Sequence, residues 1–234
     1  MFLPVFGSNN IPLQIRVLFI AFVSLAMMQF VKVTTVVPQD MMVFGGILLL
    51  EFLVGLSIGF IGLLITNGIY LAGLMIDMSI GFAMTNVVGV QDESEVPVTA
   101  NLLYLMAMTI FLVLDFHHEI IRAIIRSYEM IPIGTFNFNF FVINHFFAIA
   151  KETFEIGFQI TAPILITILV LDLILGILSK AMPGMNIFTI GMPFKILVGL
   201  ITLYFILPYI QIIFVMLFHK MIDYIDQLIF ILKG

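Results

Sequence analysis

The sequence predicts an all-α, polytopic membrane protein of bent apolar helices and helical hairpins. Three observations carry that prediction. Of 234 residues, 62% are hydrophobic and 10% are charged, whereas a soluble domain carries about 25% charged residues. Mean hydropathy is +1.24. Uncharged stretches reach 25 residues over Phe52–Ile76, and about 20 apolar residues suffice for a spanning helix. Nine Lys+Arg and fourteen Asp+Glu cannot cover a globule of this length, so much of its surface meets lipid or other apolar protein.

Composition also removes classes of function. A net charge of −5 with three arginines offers no basic face for nucleic acid. The chain has no cysteine, which excludes disulfides and thiolate metal sites. The opening MFLPVFGSNNIP lacks a basic n-region and is interrupted by Pro4, Gly7 and Pro12, so no cleavable signal peptide is expected. The basic residues are spread from Arg16 to Lys233, and charge does not orient the chain across a bilayer.

Each element follows from the runs and their punctuation, and five or six long helices are expected. Val17–Val31 is the first charge-free run. Thr34–Asp40, with Pro38, reads as a loop. Met41–Ile76 is apolar except for Glu51. Gly89–Pro97 (GVQDESEVP) places three acids within four residues and demands water. Val96–Leu114 is uncharged over 19 residues. From Asp115 to Glu129, charges fall at 115, 119, 122, 126 and 129. On a helix they form one stripe, with i,i+3 pairs Glu119–Arg122 and Arg126–Glu129. Pro132–Gly134 ends that helix, and Asn137, Asn139 and Asn144 give the next segment a loop character.

Ile156–Ser179 is interrupted only by Asp172. Met182–Pro193 (MPGMNIFTIGMP) holds two prolines and two glycines and is expected to break the helix. Being mostly apolar as well, it is expected to lie buried, because irregular backbone at membrane depth needs protein or water to satisfy its amides. Ile196–Phe218 is uncharged for 23 residues. Beyond it, Met221, Ile222, Ile225, Leu228, Ile229 and Leu232 recur at helical spacing, the mark of an amphipathic helix at an interface. The domain reading is therefore one membrane-associated helical domain, 1–218, followed by a C-terminal amphipathic helix, 219–234.

No nucleophile–base order, phosphate loop or polar carboxylate pair stands out, so neither catalysis nor a cofactor is expected. His117 and His118 are adjacent; on a helix they point about 100° apart, and no metal site is expected. Glu51, Asp77, Asp172, Lys180 and Lys195 lie in or beside apolar runs, where a charge costs about 2.5–3.5 kcal/mol even on the permissive insertion scale. Two readings stay open: ion pairs that hold helices together, or an ion relay of Glu51, Asp77 and Asp172 in a secondary transporter or channel. Gly55 and Gly59 stand at the small-xxx-small spacing that lets helices approach closely.

Taken in order, the punctuation resembles one family. Pro4–Val17 (PVFGSNNIPLQIRV), with Gly7, Pro12 and Arg16, is similar to its P-x-F-G…I-P-x-x-x-R segment. Glu51, Gly55 and Gly59 match its E-x-x-x-G-x-x-x-G helix. Ala72–Phe82 (AGLMIDMSIGF), with Gly73 and Asp77, resembles its A-G-x-x-I-D-x-x-x-G-F stretch. Pro132 and Gly134 match its L-P-I-G turn. Ser179–Lys195 (SKAMPGMNIFTIGMPFK) is the most specific block, with Lys180, Pro183, Asn186, Phe188, Gly191, Pro193 and Lys195 in place. The family is FliR, a flagellar type III export-gate protein; injectisome counterparts share its architecture. Its members usually carry another apolar segment ahead of the P-x-F-G stretch, which this sequence opens almost upon.

The resemblance implies a hetero-oligomeric export gate shared with FliP-like and FliQ-like subunits and an FlhB-like protein nearby. It implies placement in the bacterial inner membrane, within the flagellar basal body. Unfolded flagellar subunits would pass through the gate. A pore plug would run over Gly81, Phe82, Ala83, Met84, Thr85, Asn86, Val87 and Val88, and the family-motif residues would serve packing.

Overall fold

A computed structural model describes residues 12–31, 39–82, 97–135, 140–182 and 187–233, the last from 187 to 190 as backbone only. Every regular element among them is helical, as the sequence predicts. In chain order these are α1 (Leu13–Met27), α2 (Met41–Ile80), α3 (Val98–Val113), α4 (Phe116–Met130), α5 (Phe140–Ala181) and α6 (Ile187–Lys233). Three of them are long and apolar enough to cross a membrane, or four if the bent pair α3–α4 counts as one span. At 40, 42 and 47 residues, α2, α5 and α6 have contour lengths of about 60–70 Å, twice a hydrocarbon core of about 30 Å.

The chain packs as two compact units. One comprises Met1–Thr66, Phe111–Glu152 and Met216–Gly234; the other comprises Asn67–Ile110 and Thr153–Val215. In the first unit, α4 turns Phe116, Ile120, Ala123 and Ser127 inward, a face about 100° round the helix from its charged stripe. Phe218 closes on Phe111 and Phe116 with ring centroids at 5.3 and 5.4 Å, a spacing that suits edge-on and tilted aromatic pairs. The end of α6 buries Met221, Ile225, Leu228, Ile229 and Leu232. The apolar face of the expected C-terminal amphipathic helix is thus covered by the chain itself, and α6 runs through residue 218 without a break.

The charged stripe behaves only partly as expected. Arg122 pairs with Glu119 at 2.6 Å. Arg126 does not complete the second i,i+3 pair; it reaches Asp226 of α6 at 3.1 Å. A long guanidinium next to a neighbouring helix finds a better-placed carboxylate than one on its own helix, where the side chain would have to fold back.

In the second unit, small residues hold the helices together. A Cβ on Gly73 would lie 2.2 Å from the Ala100 Cα, inside any allowed contact. One on Gly157 would meet the Gly68 carbonyl oxygen at 3.3 Å, and the Thr161 hydroxyl donates to the Ala72 carbonyl at 3.3 Å. Lipid tails are as apolar as leucine, so helices in a membrane associate through such close backbone approach and interhelical polar contacts. At the Gly55–Gly59 spacing, Gly59 is buried, whereas a Cβ on Gly55 would meet nothing within 4 Å of this chain. The close approach within the chain lies a few turns later on α2.

Two further boundaries differ from expectation. Asn144 lies within α5, because the aromatic and aliphatic residues around it outweigh one asparagine's modest helix cost. Gly191 and Pro193 lie within α6, so the expectation of an interruption as far as Pro193 is too long; residues 183–186 lie outside the described residues. Proline inside an apolar helix forfeits one backbone hydrogen bond, a loss that membrane helices tolerate.

Candidate functional site

The site begins where α2 stops. Gly81 has φ +97°, a conformation that L side chains rarely adopt, and its amide bonds to the Asp77 carbonyl at 3.1 Å. A glycine in this geometry ends the helix cleanly. The chain re-enters described structure at Pro97, immediately before α3. Residues Ala83–Val88 of the expected plug fall outside the described residues; Gly81 and Phe82 are its described start.

The two flanks are joined by one side chain. Asp77, 4% exposed, accepts the Thr99 amide at 2.9 and 3.1 Å with its two oxygens, and the Ala100 amide at 3.2 Å. Thr99 and Ala100 are the second and third residues of α3, whose amides lack partners within the helix. An N-cap side chain normally accepts from these positions, but the residue there is Pro97, which offers no acceptor. Asp77 therefore caps α3 from α2, and its charge faces the positive end of the helix. Gly73 lets the α3 backbone come this close.

Three of the other membrane-depth charges, Glu51, Asp172 and Lys195, also have partners. Glu51 accepts the Gly134 amide at 3.2 Å and a hydrogen bond from the Tyr128 hydroxyl. Gly134 has φ +80°, so the Pro132–Gly134 turn presents its amide inward by a glycine-dependent conformation. Asp172 pairs with Lys195. Glu152, which the sequence reading did not single out, is held by both Lys220 and the Tyr224 hydroxyl. His145 bonds through Nε2 to the Tyr224 carbonyl at 3.0 Å. His145 and Glu152 on α5, and Lys220 and Tyr224 on α6, were visible in the sequence, but nothing in it said that these helices face one another there.

Of the remaining motif residues, Pro12 caps α1 without a side-chain bond, Arg16 is half-buried, and Pro132 and Lys180 are exposed. Gly191 is buried and Pro193 exposed. Pro4, Gly7, Pro183 and Asn186 fall outside the described residues, and Phe188 is described as helical backbone.

Among the described residues, these acids accept hydrogen bonds from amides and phenols or pair with ammonium groups. The family described as bacterial export proteins, family 1, matches residues 1–221. This chain belongs to the FliR family of bacterial export proteins. It is similar to the flagellar biosynthetic protein FliR of Aquifex aeolicus (strain VF5), 31% identical over 210 residues, covering 89% of this chain and 81% of that protein. FliR of Bacillus subtilis (strain 168) is 29% identical over 211 residues, covering 86% and 78%. FliR of Escherichia coli (strain K12) is 25% identical over 237 residues, covering 96% and 87%. The FliR-family chain described here is thus a multi-pass helical membrane protein.

Proposed function

We propose that this chain is a structural pore and gate component of the flagellar protein-export apparatus. With FliP-like and FliQ-like subunits, and an FlhB-like protein nearby, it conducts unfolded flagellar subunits across the bacterial inner membrane at the basal body, without catalysis. The relatives' names, flagellar biosynthetic proteins, support the setting. The observation that carries the gate role is the Asp77 clamp. It ties the last turn of α2 to the first turn of α3, so both ends of the segment that bears the proposed plug are held at one point. A plug needs such a fixed base, with a short apolar tip from Ala83 to Val88 that blocks ions yet yields to a passing chain.

The packing also supports assembly with other chains. Helix α1 has no buried residue, and Leu18, Phe22 and Leu25 stand open. Helices about twice the thickness of a bilayer need protein as well as lipid to cover them. The partners of Asp77 and Asp172 are those of structural clamps rather than of an ion relay.

Deleting the gene should abolish flagella and swimming, and the tagged chain should leave the membrane with FliP-like and FliQ-like proteins. A chain that purified alone and drove uptake of a small solute into liposomes would overturn this function. Shortening Ala83–Val88 should raise the resting ion leak through the assembled complex; an unchanged leak would remove the plug.

A further inference from the structure

We propose that Asp115, His117 and His118 form a three-donor site for a divalent transition-metal cation of the zinc class, at the junction of α3 and α4. One donor atom from each residue lies within 4.8 Å of the other two. The Asp115 Oδ1 stands 3.1 Å from the His118 Nδ1 and 3.8 Å from the His117 Nε2. Ligands around a tetrahedral ion at about 2.0–2.2 Å stand roughly 3.3 Å from one another. The three donors thus need only small side-chain adjustments to close on one ion.

The expectation that adjacent histidines diverge is corrected here. Their ring centroids are 4.1 Å apart. Both sit in the first turn of α4, where side chains lean toward the N-terminus and no earlier turn stands in the way. The backbone builds the third donor in. Asp115 has φ 57° and ψ 24°, and among the described residues it is the one non-glycine with positive φ. Aspartate at an N-cap ordinarily accepts an amide of the first turn. Asp115 makes no such bond, and its carboxylate is turned to the imidazoles instead. The helix accepts a left-handed residue and forgoes a side-chain cap, and both concessions bring the carboxylate to the histidines.

Donor chemistry selects the ion. Two imidazoles and one carboxylate suit zinc, cobalt or nickel, whereas calcium and magnesium prefer all-oxygen sites. The Asp115 and His118 side chains are 71% and 59% exposed, so an ion can enter and keep water in its fourth position. The His117 Nδ1 is buried without a hydrogen-bond partner. A ligating histidine usually anchors its second nitrogen, so this site binds reversibly rather than as a permanent structural centre. The carboxylate also offsets the positive end of α4, which by itself would repel a cation.

The test is a Co2+ titration of the full chain, purified in detergent without a polyhistidine tag and followed by visible absorption. One Co2+ per chain is expected, displaced by Zn2+ and unaffected by excess Mg2+. Asp115→Asn, His117→Ala and His118→Ala should each weaken binding by about tenfold or more, a loss of the size seen even for outer-shell partners. Asparagine keeps the left-handed backbone, so loss in Asp115→Asn reports the missing carboxylate rather than misfolding. Circular dichroism checks the histidine variants. Absence of one-to-one binding, displacement by Mg2+, or affinity unchanged in Asp115→Asn would each overturn the site.

Discussion

The Asp77 carboxylate accepts the backbone amide of Thr99 at 2.9 Å, 22 residues further along the chain. This single relationship supplies a cap that Pro97 cannot provide and fixes where α3 starts relative to the end of α2. Asp77→Ala leaves two buried amides without acceptors. It should cost about 2 kcal/mol, the upper end of the range for a lost N-cap. Asp77→Asn keeps one acceptor oxygen and should cost about half as much. Thermal unfolding of the full chain in detergent measures both; an alanine variant as stable as the parent would show that the clamp is incidental.

Gly73 and Gly55 should respond in opposite ways. Alanine at Gly73 places its methyl against the Ala100 backbone at 2.2 Å, and backbone cannot rotate away as a side chain can. A loss of about 1–3 kcal/mol is expected, as for other overpacked cores. Alanine at Gly55 meets open space, so the isolated chain should stay within about 0.5 kcal/mol of the parent. Under the proposed function, Gly55→Ala should instead lower the yield of complex with FliP-like and FliQ-like chains. Pull-down yields beside melting curves separate the two effects.

Asp172 and Lys195 form an ion pair within the second unit. If both serve packing, neutralising them together should be milder than neutralising Lys195 alone, because a single change strands a charge at membrane depth. Swimming of Lys195→Gln should fall below that of Asp172→Asn/Lys195→Gln. The transporter reading gives the reverse order, with every loss of Asp172 inactivating. Motility-agar diameters for these two strains, measured beside the parent, decide between them.

Glu152 receives both Lys220 and Tyr224. Removing its carboxylate should destabilise the contact between α5 and the end of α6 by roughly 1 kcal/mol, allowing for the partial exposure of both charges. A double-mutant cycle with Glu152→Ala and Lys220→Met measures the coupling. Adding salt should shrink it, since a half-exposed pair is screened. A coupling of zero at low salt would make the pair a bystander.

Much of the helix plan was legible without any structure. A charge-free run such as Phe52–Ile76 leaves few alternatives to a helix in lipid, since backbone amides must be satisfied within the segment. The inward face of α4 was legible from the 3.6-residue recurrence of its apolar positions, and the spacing of its charges placed Glu119 beside Arg122 correctly. Local punctuation was less reliable. Asn144 and Pro193 read as breaks, yet both lie in helices, because local propensity amounts to about a kilocalorie or a few and packing along a long helix exceeds it.

Pairing between helices was not legible. Asp77 read as a costly membrane-depth acid, but its role depends on Thr99 and Ala100 coming within 3.2 Å. Arg126 looked toward Glu129 on its own helix and found Asp226. The spacing of Gly55 and Gly59 did not show that a close approach within the chain occurs at Gly73. Sequence determined the class, the helices and the family, because those follow from hydropathy, periodicity and local motifs along one chain. Tertiary structure alone decided the partners, because a hydrogen bond or a close backbone contact depends on distances of a few ångströms between segments that sequence places dozens of residues apart.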